Sequence, residues 1–236
     1  MADLVLRRDV GSVAVLTLNR PDKLNALSPA LFEELAAHLD AIEETTPGGV
    51  VLAGAGRSFC AGADVEALQA GVVTDDPEFR SRTMQRLGEL PCPVIAAVQG
   101  HCYTGGLELA LTADIIVAAD DARFRDTHSR FGILPRWGLS ARLPRRIGLA
   151  AAKRMAFIGD EVPAAEALRI GLCDEIVPAA RLQEAALELA ARIAANARTS
   201  AGIKRLYARS LELSLAEALE NERGSSRPGG GPGAAG

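Results

Sequence analysis

Aromatic side chains are scarce: they make up 4% of the chain, with a single tryptophan, so a composition that is 48% hydrophobic must build its core from Ala, Leu, Val and Ile. Basic residues fall short of acidic ones, 26 against 30, for a net charge of −4. That balance excludes the basic surface that a nucleic-acid partner requires. The positive charge is mostly arginine, spread along the chain as solvated faces. No apolar run approaches the ~18–20 residues of a membrane span. Residues 1–10, "MADLVLRRDV", lack a basic stretch followed by a long apolar one. The expected location is therefore cytoplasmic, with no membrane partner. Cys60, Cys92, Cys102 and Cys173 form no CxxC pair and read as reduced, buried thiols. Cys92, His101 and Cys102 lie close in sequence but match no zinc spacing, so no metal is expected.

What is present is enough for one substantial domain. "LVLRRD" and "SVAVLTLN" alternate as a strand pair around Asp9-Val10-Gly11. Ser28-Pro29 reads as an N-cap with proline in the first helical position. The helix after it spaces Leu31, Leu35, Leu39 and Ile42 along one face. Gly48-Gly49 closes that unit. "VVLAG", "PVIAAVQG" and "ADIIVAA" are short apolar strands alternating with helical segments, which predicts α/β architecture with parallel strands. From Gly148 the chain turns helical, with Gly159 and Gly171 where C-caps belong. Residues 178–221 predict two or three helices. "RGSSRPGGGPGAAG", from Arg223 to Gly236, has no apolar periodicity, so residues 223–236 are expected to be a disordered tail.

Two segments share one grammar of apolar strand, small-residue loop and helix: "VVLAGAGRSFCAGADVEAL" and "VIAAVQGHCYTGGLELAL". Each loop can leave backbone N–H groups unpaired at a helix start, and glycine lets a ligand approach them. Two such loops side by side could aim two donors at one oxygen, the requirement of an oxyanion hole. Glycine-rich strand-to-helix loops also occur throughout α/β proteins. A glutamate in a first helical turn, here Glu108, commonly does no more than complement the helix dipole. Pattern alone leaves both readings open.

Four segments, "RPDKLNALS", "GRSFCAGADV", "GHCYTGGLELALTAD" and "FGILPRWGLSARLPRRIG", together resemble the enoyl-CoA hydratase/isomerase (crotonase) superfamily, over roughly residues 3–222. The resemblance implies a crotonase-like (ClpP/crotonase) spiral of ββα units with a helical C-terminal region. On this reading residues 1–222 form one acyl-CoA domain, with a core of about 3–177 and a helical region of about 178–222. It implies a bound acyl-CoA thioester, with CoA entering as part of the substrate and no further cofactor. The N–H groups of Ala63 and Gly105 would form the oxyanion hole for an enolate. Asp22, Lys23, Leu24 and Ala26, with Ala61, Asp64 and Val65, would line the CoA and substrate path. Lys23 meets a CoA phosphate or is simply exposed. Glu108 matches the first of two catalytic glutamates in the family's hydratases, and relatives assemble as homotrimers or hexamers.

The sequence departs from that pattern in three places. The second glutamate position, four residues before Gly132, holds His128. An imidazole exchanges protons near neutral pH, so one expectation gives Glu108 the water proton and has His128 protonate the α-carbon. The other has His128 merely packed in a site of altered chemistry. Were residues 124–128 extended, Asp126 would share a face with His128 and orient it. Trp137 stands where relatives have small residues and either narrows the acyl pocket or belongs to the core. The glycine-rich end replaces later helices that in relatives complete the acyl pocket and the trimer contact. Hydration of a 2-enoyl-CoA is the leading expectation. Isomerisation, decarboxylation, thioester hydrolysis and acyl-CoA binding without turnover are the alternatives, because fold alone does not choose.

Overall fold

In a computed structural model, which describes residues 3–69 and 76–225, the chain opens with the hairpin its alternation predicts. β1 (Val5–Val10) and β2 (Val13–Leu18) pair antiparallel, with Gly11 at φ 59° in the turn. The Ser28 hydroxyl accepts the Leu31 N–H at 3.2 Å and caps α1 (Pro29–Thr45), whose Leu31, Leu35, Leu39 and Ile42 are all buried. Gly49 belongs to the next element, β3 (Gly49–Gly54), while α1 stops because Thr46 turns left-handed. α2 (Val65–Gln69) and α3 (Phe79–Glu89) follow, then β4 (Val94–Val98).

The grammar read as strand, loop, helix is richer than expected. After β4 the chain forms a three-residue strand, β5 (His101–Tyr103), and only then α4 (Gly105–Ala110). The pattern repeats in β6 (Ile115–Ala119), β7 (Arg123–Arg125) and α5 (His128–Phe131). Each repeat gives its long strand to one sheet and its short strand to another, which is the ββα spiral. The Cys60 backbone pairs in parallel with that of Cys102, both thiols being free, so the loop after β3 joins the second sheet as well.

α6 (Leu139–Ile147) and α7 (Leu149–Ile158) come next, then β8 (Val162–Pro163), α8 (Ala164–Arg169) and β9 (Glu175–Val177). The large sheet has the order β1-β2-β3-β4-β6-β9, parallel except for the first pair. The small one has the order β5-β7-β8. α9 (Leu182–Ala194) lays Leu182, Ala186 and Ala190 on the large-sheet face that carries Val15, Val51, Ile95 and Val117. The opposite face, with Leu16, Leu52, Ala96 and Ile116, packs against α1, α3 and α4. Both faces are covered, which is why the strands read as continuous apolar runs.

α10 (Ala197–Ser210) and α11 (Leu215–Ser225) complete the described chain. The expected boundary at residue 223 is too early. Arg223 pairs with Glu220 at 2.7 Å, the Ser225 hydroxyl donates to the Asn221 carbonyl at 2.9 Å, and the helix runs on to Ser225. The rest of the expected tail lies outside the described residues.

Candidate active site

Glu108 is on α4 and only 2% exposed. Its Oε1 accepts two backbone N–H groups from the start of α6, Trp137 at 2.9 Å and Leu139 at 3.2 Å. Burial raises its pKa above the ordinary carboxylate value. The two N–H donors and the neighbouring imidazole pull against that rise without cancelling it. With Oε1 occupied, Oε2 is the oxygen left to work, and it faces His128 Nε2 at 3.9 Å.

His128 and Asp126 are buried together, and the His128 Nδ1 lies 2.6 Å from Asp126 Oδ1. The expected pairing is present, but its geometric reason is different. Residues 124–128 are not extended throughout: β7 ends at Arg125 and His128 begins the single turn of α5. Asp126 folds back so that Oδ1 also accepts the His128 backbone N–H at 3.0 Å. This is a local side-chain turn of the kind aspartate favours.

The N–H groups of Ala63 and Gly105 donate to no described group. They stand close together, since a Cβ built on Gly105 would lie 3.2 Å from the Ala63 nitrogen. Gly62, at φ 106°, brings its loop against the Tyr103 carbonyl, and its Cβ would sit 3.4 Å from the Gly105 nitrogen. Thr104 sets the other side. Its φ of 48° and ψ of −105° are strained for a β-branched residue. Its N–H donates to the Arg125 carbonyl at 2.7 Å, and its hydroxyl meets that of Thr127 at 2.5 Å and accepts the Thr127 N–H at 3.2 Å. Trp137 is half-buried. It packs edge-on against Phe32 with ring centroids 5.2 Å apart, and its Cζ3 lies 2.6 Å from where a Gly105 Cβ would be. Trp137 thus joins the core on one edge and borders Gly105 on the other.

Of the other residues expected to line the site, Asp22, Lys23 and Val65 are exposed, and Leu24, Ala26 and Ala61 half-buried. Lys23 is held by Glu66 at 2.9 Å and Asp64 by Arg20 at 2.8 Å. Asp64 also accepts the Ala67 N–H at 3.1 Å, capping α2. Asn25 escapes sequence reasoning although it holds this loop. Fully buried at φ 56°, it accepts the Arg20 N–H and donates to the Ala55 and Ser58 carbonyls. An asparagine between apolar neighbours in "KLNAL" was the available signal, since asparagine tolerates left-handed backbone. Cavities of about 630 Å³, between α3 and α10, and 560 Å³, between α7 and α8, lie elsewhere and include neither Glu108 nor His128.

The ββα spiral, with a buried carboxyl presented from α4, is the architecture of a known enzyme class. The chain belongs to the enoyl-CoA hydratase/isomerase family, whose profile matches residues 8–226. Among its relatives, the short-chain-enoyl-CoA hydratase of Clostridium acetobutylicum is 38% identical over 200 residues, covering 83% of this chain and 76% of that one. The crystal structure of enoyl-CoA hydratase from Bacillus anthracis superposes with a TM-score of 0.88 at 33% identity, covering 94% of this chain and 88% of that one. The enzyme from Mycobacterium tuberculosis H37Rv gives 0.79 at 40% identity, covering 93% and 96%. Among the described residues, no helix is long and apolar enough to cross a membrane.

Proposed function

We propose that this chain is an enoyl-CoA hydratase, adding water across the double bond of a 2-enoyl-CoA. The observation that carries the reading is the 3.9 Å gap between Glu108 Oε2 and His128 Nε2. It is too long for a direct hydrogen bond. A water at about 2.8 Å from both atoms spans it. The unpaired N–H groups of Ala63 and Gly105 would hold the thioester oxygen, where negative charge develops as water attacks the β-carbon. Two proton-exchanging groups around one water suit hydration better than decarboxylation, which needs no water proton. Trp137 crowds the space beside Gly105 and favours short acyl chains.

The test is loss of enoyl-thioester absorbance with crotonyl-CoA and with a long-chain 2-enoyl-CoA. Turnover of the short substrate is expected, with the long one poor in the wild type and improved in Trp137→Ala. No loss of absorbance with either substrate sinks the hydratase reading. Unchanged chain-length preference in Trp137→Ala removes the indole from specificity.

Assembly as a homotrimer or a dimer of trimers is part of the same reading. It is supported by exposed apolar side chains late in the chain: Ile203 and Tyr207 on α10, Leu211 just past its end, and Leu215 and Leu219 on α11. Light scattering should give three or six chain masses, and a monomer at micromolar concentration would count against it.

A further inference from the structure

The two proton-exchanging groups are not equivalent, and the hydrogen bonds around them say which does what. A carboxylate only accepts, so the 2.6 Å contact of Asp126 Oδ1 with His128 Nδ1 requires a proton on Nδ1. In the neutral ring, Nε2 then carries the lone pair, and Nε2 is the atom that faces Glu108. On the other side, Glu108 Oε1 already accepts two backbone N–H groups, so an acid proton belongs on Oε2. A bridging water would donate to Nε2 and accept from Oε2–H.

We propose that Asp126 is a positioning residue that fixes His128 as the Nδ1–H tautomer, so that Nε2 takes the proton of water and Glu108 delivers its own to the α-carbon. This division rests on the hydratase reading and reverses the one expected from the sequence. The proton passes from water to Nε2 as the oxygen bonds to the β-carbon. The double-bond electrons move onto the thioester oxygen, giving an enolate between the Ala63 and Gly105 N–H groups. The α-carbon then takes the Oε2 proton, leaving an imidazolium and a carboxylate. Once product departs, the Nε2 proton returns to Oε2 and both groups are restored. Asp126 stabilises the imidazolium in between, and it is 1% exposed, so no solvent screens it. The raised pKa of Glu108 agrees with its acid role. The Arg142 guanidinium on α6, which interacts with Glu108, donates to the Trp137 carbonyl at 3.1 Å.

Nitrogen-15 NMR of the ring, assigned by its loss in His128→Gln, tests the tautomer directly on the wild-type protein. In the neutral ring Nδ1 is expected to be protonated and Nε2 bare. Asp126→Asn, whose amide can donate to Nδ1 and turn the proton onto Nε2, should lower kcat with crotonyl-CoA roughly 10²- to 10⁴-fold while leaving KM little changed. Asp126→Glu should keep the tautomer and part of the rate. Turnover by a ring protonated on Nε2 overturns the proposal and leaves the hydratase reading standing. So does an Asp126→Asn protein with unaltered kcat. The wild-type spectrum needs no variant to fold. A protein that shows the expected tautomer yet hydrates no 2-enoyl-CoA overturns the hydratase reading and the division of roles with it.

Discussion

Glu108→Gln is expected to lose activity and gain stability at once. The amide copies the protonated carboxyl: its oxygen can still accept the Trp137 and Leu139 N–H groups, and its NH₂ takes the place of Oε2. It cannot give up a proton, so hydration of crotonyl-CoA should fall roughly 10²- to 10⁴-fold. The stability gain follows from linkage. Burial raises the folded-state pKa of Glu108, so the folded protein holds this proton more tightly than the unfolded chain does. Below the ordinary carboxylate value of about 4.3 both states are protonated and nothing is lost. As pH climbs from there through the folded-state value, the wild type loses stability that the glutamine variant keeps. Thermal unfolding should therefore show matching midpoints in acid and a higher midpoint for Glu108→Gln in alkaline buffer. A difference that does not change with pH would show that Glu108 titrates as an ordinary carboxylate.

Gly106→Ala should be among the most destabilising single methyl additions in the chain. A Cβ there would lie 2.2 Å from the Cys60 carbonyl oxygen and 2.9 Å from its carbon. Those are backbone atoms, and the same carbonyl accepts the Tyr103 N–H at 3.0 Å, while the Cys60 N–H donates to the His101 carbonyl at 2.9 Å. Relief requires moving α4 or opening the link between β5 and the loop after β3. Overpacking of this kind costs about 3 kcal/mol, or roughly 6–12 °C in unfolding midpoint for a domain of this size. Gly105→Ala makes the contrast: its closest contact is the Trp137 ring, at 2.6 Å. An indole can shift, so Gly105→Ala should fold and fail in catalysis, whereas Gly106→Ala should fail in folding. Calorimetry beside crotonyl-CoA assays separates the two. Equal midpoints for Gly106→Ala and wild type would mean that α4 can move away from the Cys60 carbonyl at little cost.

That contrast shows what a sequence discloses. The adjacent glycines and the buried Glu108 stood out, because a pair of small residues before a carboxylate in an apolar run is a pattern in one dimension. The α1 cap and face, the first hairpin and the parallel strands were visible for the same reason. β5 and β7 were not. Three-residue strands carry no measurable period, and what makes them strands is the second sheet they join. The Asp126–His128 contact was anticipated with the wrong backbone, because an aspartate that caps its own turn and one that lines a strand have the same spacing at two residues. The strained Thr104 gives no signal at all. Its conformation is imposed by Arg125 and Thr127, both more than twenty positions away.

Thr104 also ties the site into one body. Its hydroxyl meets Thr127, the residue just before His128, while its own carbonyl leads into Gly105. The corner that carries one unpaired N–H group and the corner that carries the imidazole are therefore joined by the threonine pair and by the β5–β7 pairing just before it. The span from the Gly105 N–H to the imidazole is thus a property of the fold itself. On the proposed reading the site would act as a gauge of fixed opening: it would accept a conjugated thioester whose oxygen and β-carbon are the right distance apart, and leave idle one that requires the two corners to move separately.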